Sequence, residues 1–218
     1  MEKSQVLERI KSIGIIPVVR ASSGDEALQA VEAIKAGGLS VLEITMTVPG
    51  AVGIIKKIAA RYGDEVLVGA GTVLNAETAK ECLQAGAQFV VSPALNLDTI
   101  AFCRDAGCAI MPGALTPTEV VTAWSAGADM VKVFPCGAMG GASYIKSLKA
   151  PLPQIELVPT GGVSLKTAAA FIEAGSAAIG VGADLVDIKA IRAGESERIT
   201  ETTRAYIEAV KAARAGMG

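Results

Sequence analysis

The chain has 218 residues, of which 51% are hydrophobic and 19% are charged, and this composition excludes a disordered or solvating protein. Its 20 basic and 22 acidic residues give a net charge of −2, which argues against nucleic-acid binding and against a polybasic membrane segment. Histidine is absent, so Ser-His and Cys-His nucleophiles, histidine-ligated zinc and imidazole acid–base catalysis are excluded.

The N-terminal stretch MEKSQVLERIKSIG mixes charged and apolar side chains in a pattern that predicts an amphipathic helix at about 2–13. It has no long apolar region and no small-residue cleavage site, so it does not resemble a secretory signal, and we expect a cytoplasmic protein. Every apolar run is broken before the roughly 18 residues that would suggest a membrane span. The four cysteines form no CxxC pair, which predicts reduced thiols rather than disulfides or a zinc site.

A repeated pattern organises the rest of the chain: a helical stretch ends in Ala-Gly, and an apolar run follows. It occurs five times, as AGGLSVLEITM, AGAQFVV, AGCAIMPGA, AGADMVKVF and AGSAAIGVG. The glycine supplies a left-handed helix C-cap, and the apolar run supplies a buried strand. Together with the apolar runs that lack this signal, the sequence predicts eight strands: 15–20, 41–46, 67–73, 89–94, 109–115, 130–135, 157–163 and 178–185.

Eight evenly spaced strand–helix units predict a (β/α)8 TIM barrel with an extra N-terminal helix, as a single domain over 1–218. Ser23, Asn75 and Thr116 mark the starts of helices, and a further helix is expected at about 197–214. The alternative is a doubly wound open sheet. No GxGxxG follows the first strand, however, and nothing marks a switch point, so the barrel is favoured.

Two charged side chains are predicted to point into the barrel, because strand residues alternate between the interior and the helix layer. In VLEITMT, Leu42, Ile44 and Met46 suit the helix layer, which leaves Glu43 facing inward. In MVKVFP, the two valines suit the helix layer and leave Lys132 facing inward. Lys132 is the only one of twelve lysines in a predicted strand. Alternate strands contribute to the same interior layers, so both side chains are expected in one cavity.

This pair has two interpretations. In the first, it only fills the barrel, although a buried ion pair stabilises weakly because desolvation offsets its Coulomb attraction, and Leu or Val would fill the same space. In the second, burial disfavours the ammonium form of Lys132, so a neutral amine attacks a carbonyl while Glu43 transfers protons. A Schiff base requires neither a metal nor histidine, so we expect no cofactor and no metal.

The segments LEITMTVPGA, VGAGTVLN, FVVSPALN, MPGALTPTE, VKVFP and VPTGGVS follow in this order from the second to the seventh predicted strand. With IIPVVRA in the first strand and AIGVGADLV in the eighth, they resemble the bacterial 2-keto-3-deoxy-6-phosphogluconate (KDPG) aldolase and 4-hydroxy-2-oxoglutarate (KHG) aldolase family. The resemblance implies a class I aldolase of the Entner–Doudoroff pathway on a (β/α)8 barrel, generally a homotrimer. It places the Schiff-base lysine at Lys132 and the proton-transferring glutamate at Glu43.

Further candidate ligands of a keto-acid substrate lie at the predicted strand ends. Arg20 is the only arginine in a predicted strand, which predicts either an anion clamp or a rim salt bridge. The resemblance assigns Thr72 to the carboxylate of pyruvate, and Pro93 and Phe134 to the wall of the pocket. The alternatives are a strand terminator for Pro93 and a core aromatic for Phe134.

Glycine-rich turns follow the last two predicted strands. PTGGV contains Thr160, Gly161 and Gly162, and GVGAD contains Gly182 and Ala183. Barrels often bind phosphate at this place through backbone N–H groups, which predicts a phosphate site, although paired glycines also make ordinary tight turns.

Two positions depart from the family pattern. Thr47 stands where many members have an arginine, and this position is expected to contact substrate. Ala183 stands where the phosphate site often has a serine. These departures are expected to weaken phosphate binding more than aldol chemistry.

The expected reaction is the cleavage of KDPG to pyruvate and glyceraldehyde 3-phosphate. KHG or 2-keto-3-deoxy-6-phosphogalactonate is the alternative substrate, with the same lysine mechanism. Two other classes are a non-covalent phosphate-binding barrel isomerase, in which the interior lysine would have no task, and a non-catalytic assembly subunit. We expect a small-molecule keto acid and further copies of this chain as partners, and neither nucleic acid nor membrane.

Overall fold

The computed structural model describes residues 1–217, which form an α/β fold of parallel strands surrounded by helices. Its strands are β1 (Ile15–Val19), β2 (Val41–Thr45), β3 (Leu67–Gly71), β4 (Phe89–Val91), β5 (Ala109–Met111), β6 (Gly113–Ala114), β7 (Val131–Val133), β8 (Leu157–Pro159) and β9 (Ile179–Val181). Its α-helices are α1 (Lys3–Ile13), α2 (Gly24–Ala36), α3 (Ala51–Tyr62), α4 (Ala76–Gln84), α5 (Leu97–Asp105), α6 (Pro117–Ser125), α7 (Ala142–Lys149), α8 (Ala168–Glu173), α9 (Ile188–Arg192) and α10 (Glu197–Ala215). Within residues 1–217, no helix combines the length and the apolar character that crossing a membrane requires.

The strands pair in parallel and form a curled arrangement of two sheets. The larger sheet has the order β5-β4-β3-β2-β1-β9, and the smaller has the order β6-β7-β8. Glu43 on β2 lies opposite Gly69 in the larger sheet, and Lys132 on β7 lies opposite Gly113 and Val158 in the smaller one. Each charged residue therefore sits within a strand that has a neighbour on both sides.

Apolar side chains pack in two layers, and this confirms the alternation predicted for β2 and β7. Leu42, Ile44 and Val131 belong to the outer cluster, which they form with the helices. Val41 and Met130 belong to an inner cluster enclosed by the strands. Residues at odd and even positions therefore face opposite sides, and Glu43 and Lys132 face inward with the inner cluster.

The N-terminal helix covers the inner cluster at the amino ends of the strands. Val6 and Ile10, one helical turn apart, are buried within that cluster. The C-terminal helix α10 lies outside the strands and packs against α2 and α8. The opposite end of the strands, where their carboxyl termini lie, remains the open face.

The local signals in the sequence are confirmed. The three predicted N-caps Ser23, Asn75 and Thr116 each accept a hydrogen bond from the backbone N–H three residues later. The last glycine of each Ala-Gly signal has a left-handed φ: Gly38, Gly86, Gly107, Gly127 and Gly175.

Most predicted strands extend beyond the observed ones: those predicted at 89–94, 130–135 and 178–185 are limited to Phe89–Val91, Val131–Val133 and Ile179–Val181. Two others differ for a clear backbone reason. The strand expected at 109–115 is interrupted by Pro112, which separates β5 from β6. The strand expected at 157–163 ends after three residues. Gly161 and Gly162 have φ of 82° and 78°, which lies outside the extended range, so the strand cannot continue through them.

Candidate active site

The side chains of Glu43 and Lys132 lie close together on the inner side of the curled sheets, as predicted. Their side chains are 2% and 6% exposed, and Glu43 Oε1 lies 4.0 Å from Lys132 Nζ. Lys132 Nζ also lies 5.4 Å from the centroid of the Phe134 ring, which is a cation–π distance. Gly71 on β3 leaves room for the carboxylate, because a Cβ at this position would collide with Glu43 Oε1. A larger residue at this position would displace the glutamate.

The burial and charged surroundings of Glu43 favour a catalytic role over a role as a space-filling side chain. Burial raises the pKa of Glu43, while the positive charges of Lys132 and Arg20 oppose the rise. Oε1 has no hydrogen-bond partner among residues 1–217. Leaving a buried acceptor unpaired costs about 1–3 kcal/mol, so a residue that served only as filler would be poorly chosen. The same acceptor is well placed to take a proton from a bound molecule.

A cavity opens beside Lys132. Its volume of about 300 Å³ is at the lower end of the range for small-molecule sites. Its lining contains eight of the predicted site residues: Arg20, Lys132, Phe134, Thr160, Gly161, Gly162, Gly182 and Ala183. The other four predicted residues, Glu43, Thr47, Thr72 and Pro93, are not part of this lining. Glu43 is connected to the cavity through its contact with Lys132.

Thr47, Thr72 and Pro93 follow the carboxyl ends of β2, β3 and β4, on the open face. Thr72 has a φ of 59°, a left-handed conformation that is a genuine outlier for a β-branched residue. Such strain concentrates at functional sites, so it supports the assignment of Thr72. The exposed Thr47 has its hydroxyl 2.7 Å from that of buried Thr45.

Arg20 follows β1 and is exposed on the same face. It forms no ion pair with any residue from 1 to 217, so its guanidinium is available to an anion in the cavity that it lines.

The two glycine-rich turns present free backbone N–H groups at the edge of the cavity. The N–H groups of Gly162 and Ala183 donate no hydrogen bond to an acceptor among the described residues. The left-handed φ of both Gly161 and Gly162 turns the chain sharply at this point. Free backbone N–H groups in such turns attract anions.

Sequence reasoning missed Asp184 and Tyr206. Asp184 lines the cavity, and its Oδ2 accepts hydrogen bonds from the Leu165 N–H at 3.0 Å and from the Tyr206 hydroxyl. Burial and the bond to Asp184 raise the pKa of Tyr206, which is fully buried on α10. The network joins the turns that follow β8 and β9. No local pattern marks it, because its members are far apart in the chain.

Cys136 comes directly after VKVFP, close to Lys132 in the chain, so its thiol is a candidate nucleophile. Its thiol is buried and donates to the Gly141 carbonyl at 3.6 Å. Burial raises the pKa of Cys136 to about 11, so the thiol stays protonated at neutral pH. Cys136 therefore serves as a small apolar filler.

Comparison with known proteins covers nearly the whole chain. A family model described as KDPG and KHG aldolase matches residues 6–202. The chain is 38% identical over 201 residues to the 2-dehydro-3-deoxy-6-phosphogalactonate aldolase of Escherichia coli (strain K12), covering 91% of this chain and 95% of the relative. It is 32% identical over 207 residues to the 2-dehydro-3-deoxy-phosphogluconate aldolase of Haemophilus influenzae, covering 95% and 97%.

Among solved structures, the fold is similar to that of KDPG aldolase from Legionella pneumophila with pyruvate captured at low pH as a covalent carbinolamine intermediate. The TM-score is 0.84 at 29% sequence identity, and the match covers 93% of this chain and 98% of that chain. The residues that the family model matches, 6–202, include β2 and β7, the strands that hold Glu43 and Lys132.

Proposed function

The chain belongs to the KDPG and KHG aldolase family and is a carbon–carbon lyase, and we propose that it cleaves KDPG to pyruvate and glyceraldehyde 3-phosphate through a Schiff base on Lys132. The observation that carries the proposal is the buried pair of Lys132 and Glu43 beside an open cavity. A class I aldolase needs an amine that attacks a ketone and a group that transfers protons, and this pair supplies both.

The first half of the reaction joins substrate to enzyme. The neutral Lys132 amine attacks the C2 ketone to give a carbinolamine, which loses water to become a positively charged iminium. Glu43 is within 4.0 Å of the amine and exchanges protons with these intermediates, either directly or through a water molecule. The iminium then serves as the electron sink for the next step.

The second half breaks the carbon–carbon bond. Glu43 accepts the proton of the C4 hydroxyl, the C3–C4 bond cleaves, and its electron pair moves to the iminium, which becomes an enamine. The C4 oxygen becomes the carbonyl of glyceraldehyde 3-phosphate. Glu43 returns the proton to C3, and water hydrolyses the resulting iminium to release pyruvate and the free lysine.

The remaining predicted residues orient the substrate. Thr72 hydrogen-bonds the pyruvate carboxylate, and its strained backbone supports a role in positioning. Thr47 contacts the substrate from the neighbouring strand end, while Pro93 and Phe134 form apolar walls. Their place on the open face, around the Lys132 and Glu43 pair, supports these roles.

The phosphate is assigned to the turns after β8 and β9. The free N–H groups of Gly162 and Ala183, and the neighbouring Gly161 and Gly182 in the same two turns, support this placement. Arg20 lines the same cavity and adds a positive charge. Thr160 precedes the glycines and lines the same cavity as Lys132.

Trapping with pyruvate and borohydride tests the proposal. Reduction should fix one pyruvate on the chain, seen as a single mass increase of the intact protein, and peptide mapping should locate it on Lys132. The physical reason is that Lys132 is the buried lysine beside a proton-transferring carboxylate. An adduct on exposed Lys146 or on Lys149 instead, or no adduct at all, would remove the Schiff-base mechanism.

Ala183→Ser tests the phosphate assignment. A serine hydroxyl adds one hydrogen bond to a charged group, and such bonds contribute about 1.5–3 kcal/mol when fully formed. Because Ala183 is exposed, we expect KM for KDPG to fall by up to about tenfold, with KM for the unphosphorylated analogue unchanged. The wild type should already prefer the phosphorylated substrate. Equal efficiency on both substrates, unaffected by the serine, would contradict the phosphate site and favour KHG as the substrate.

A second candidate substrate is 2-keto-3-deoxy-6-phosphogalactonate, the C4 epimer of KDPG. The observation that favours it is the 38% identity to the Escherichia coli relative named for that reaction. The lysine mechanism is the same for both, so the ratio of kcat/KM for the two epimers decides between them.

The two parallel sheets form, in our proposal, one closed (β/α)8 barrel domain. Only Pro112 separates β5 from β6, and its carbonyl accepts the Lys132 N–H at 2.9 Å. Between β8 and β9, Thr160 and Gly180 form a parallel bridge. Contacts at both junctions support closure of the ring, with α1 as an additional helix at one end.

A homotrimer in the cytoplasm is the assembly that we propose. Leu74, Leu97 and Val121 are 56%, 52% and 43% exposed and belong to three consecutive strand–helix units. Large exposed apolar side chains grouped in this way favour a protein partner. The four cysteines are free and buried, which fits a reducing compartment.

A further inference from the structure

A second cavity adjoins the cavity that contains Lys132. Its volume is about 320 Å³, and it shares with the lysine cavity the side chains of Val18 and Arg20 and the turn at Gly182 and Ala183. Its remaining walls come from the loop between β1 and α2, the loop between β9 and α9, and α9 itself. The two cavities therefore meet at the turn to which the proposed function assigns the phosphate.

Three cationic side chains line the second cavity: Arg20, Lys189 and Arg192. Arg192 is already neutralised, because its Nε lies 2.6 Å from Glu26 Oε1. Arg20 and Lys189 are exposed, and within residues 1–217 neither forms an ion pair. Two positive charges thus remain available for an anion.

The carboxylates nearby do not cancel these charges. Asp187 lines the second cavity, but its Oδ1 accepts two backbone N–H groups of α9 and its Oδ2 lies 3.5 Å from Arg198. Asp184 lines only the lysine cavity. A phosphate dianion is therefore repelled on the side of Asp184 and attracted on the side of Lys189.

We propose that Lys189, together with Arg20, binds the phosphate group of the substrate from the second cavity. The phosphate lies over Ala183, between these two cations and the free N–H groups of the glycine turns. A serine at position 183 would donate a hydrogen bond to the phosphate, and Ala183 cannot. The Lys189 ammonium donates a charge-assisted hydrogen bond in its place. The proposal rests on the proposed function, because it takes the phosphate to belong to a keto acid held on Lys132.

The test compares wild type and Lys189→Ala in the cleavage of KDPG and of its unphosphorylated analogue. KM for KDPG should rise about tenfold, the lower end of the range for a hydrogen bond to a charged group, because an exposed ammonium is partly screened. The value of kcat, and both constants for the unphosphorylated analogue, should stay unchanged. Lys189→Arg should keep most of the affinity for KDPG. Added salt should reduce the difference in KM for KDPG between wild type and Lys189→Ala.

Lys57→Ala is the matched control, because it removes the same charge from an exposed position on α3 and should change none of these constants. Inorganic phosphate is an independent probe, since its inhibition constant against KDPG should rise in Lys189→Ala as KM does. Two results would overturn the role of Lys189. One is that KM for KDPG and the inhibition constant of phosphate stay unchanged in Lys189→Ala, and the other is that KM rises equally for KDPG and its unphosphorylated analogue. Failure of the wild type to trap pyruvate on Lys132 would overturn the proposed function instead, so the two failures are distinguishable.

Discussion

Replacing Lys132 with methionine should lower kcat by about 10⁴- to 10⁶-fold, the scale of loss when a covalent nucleophile is removed. Methionine has a similar length and fills the same buried space, but its thioether cannot form an imine. Without the iminium, the electron pair released from the C3–C4 bond has no acceptor. A carboxylate beside an unactivated ketone cannot replace that acceptor.

The fold should survive this change, which keeps the kinetic result interpretable. Loss of the Lys132 ammonium removes a charge that opposes the rise in the pKa of Glu43, so the Glu43 carboxyl becomes more readily protonated. Removing one partner of a buried ion pair is destabilising when it leaves an unpaired charge, and protonation of Glu43 removes that charge. We therefore expect a melting temperature close to that of the wild type.

Lys146→Met is the control, because Lys146 is exposed on α7. Single-turnover cleavage of KDPG and the mass of the borohydride-reduced protein are the measurements. A Lys132→Met protein that still turns over substrate, or that still traps pyruvate, would show that a different amine carries the reaction.

Position and orientation of the central pair could be predicted because buried strands obey a simple alternation. Leu42 and Ile44 require the helix layer, so Glu43 can only face inward, and the valines around Lys132 impose the same constraint. The caps at Ser23 and Asn75 could be predicted for a similar reason, since each is a local hydrogen bond within four residues.

Features that depend on distant segments could not be predicted. The carboxylate of Asp184 meets the hydroxyl of Tyr206 only after α10 has packed against α2 and α8. The left-handed φ of Thr72 is likewise imposed by its surroundings, since the intrinsic preference of a β-branched residue opposes it. Lys189 carries no motif, and its proposed role depends on a cavity formed by the β1–α2 loop, the β9–α9 loop and α9.

Replacing Glu43 with glutamine should lower kcat by about 10²- to 10⁴-fold, the usual contribution of a positioned acid–base group. Glutamine has the same shape and fits the space beside Gly71, but its amide cannot accept the C4 hydroxyl proton. Pyruvate should still form an adduct on Lys132, although more slowly, because imine formation also involves proton transfers. Glu173→Gln, at an exposed position on α8, is the matched control.

The pH profile distinguishes this catalytic role from a structural one. Burial raises the pKa of Glu43 above the ordinary glutamate value of about 4.3, and Lys132 and Arg20 only oppose that rise. The carboxylate form, which accepts the proton, is therefore lost at a higher pH than in an exposed glutamate. In the wild type, kcat should fall as the pH decreases through this raised pKa, and the acidic limb should be missing in Glu43→Gln. Near-normal turnover in the variant, or an acidic limb that persists, would show that Glu43 only fills space on the inner side of the strands.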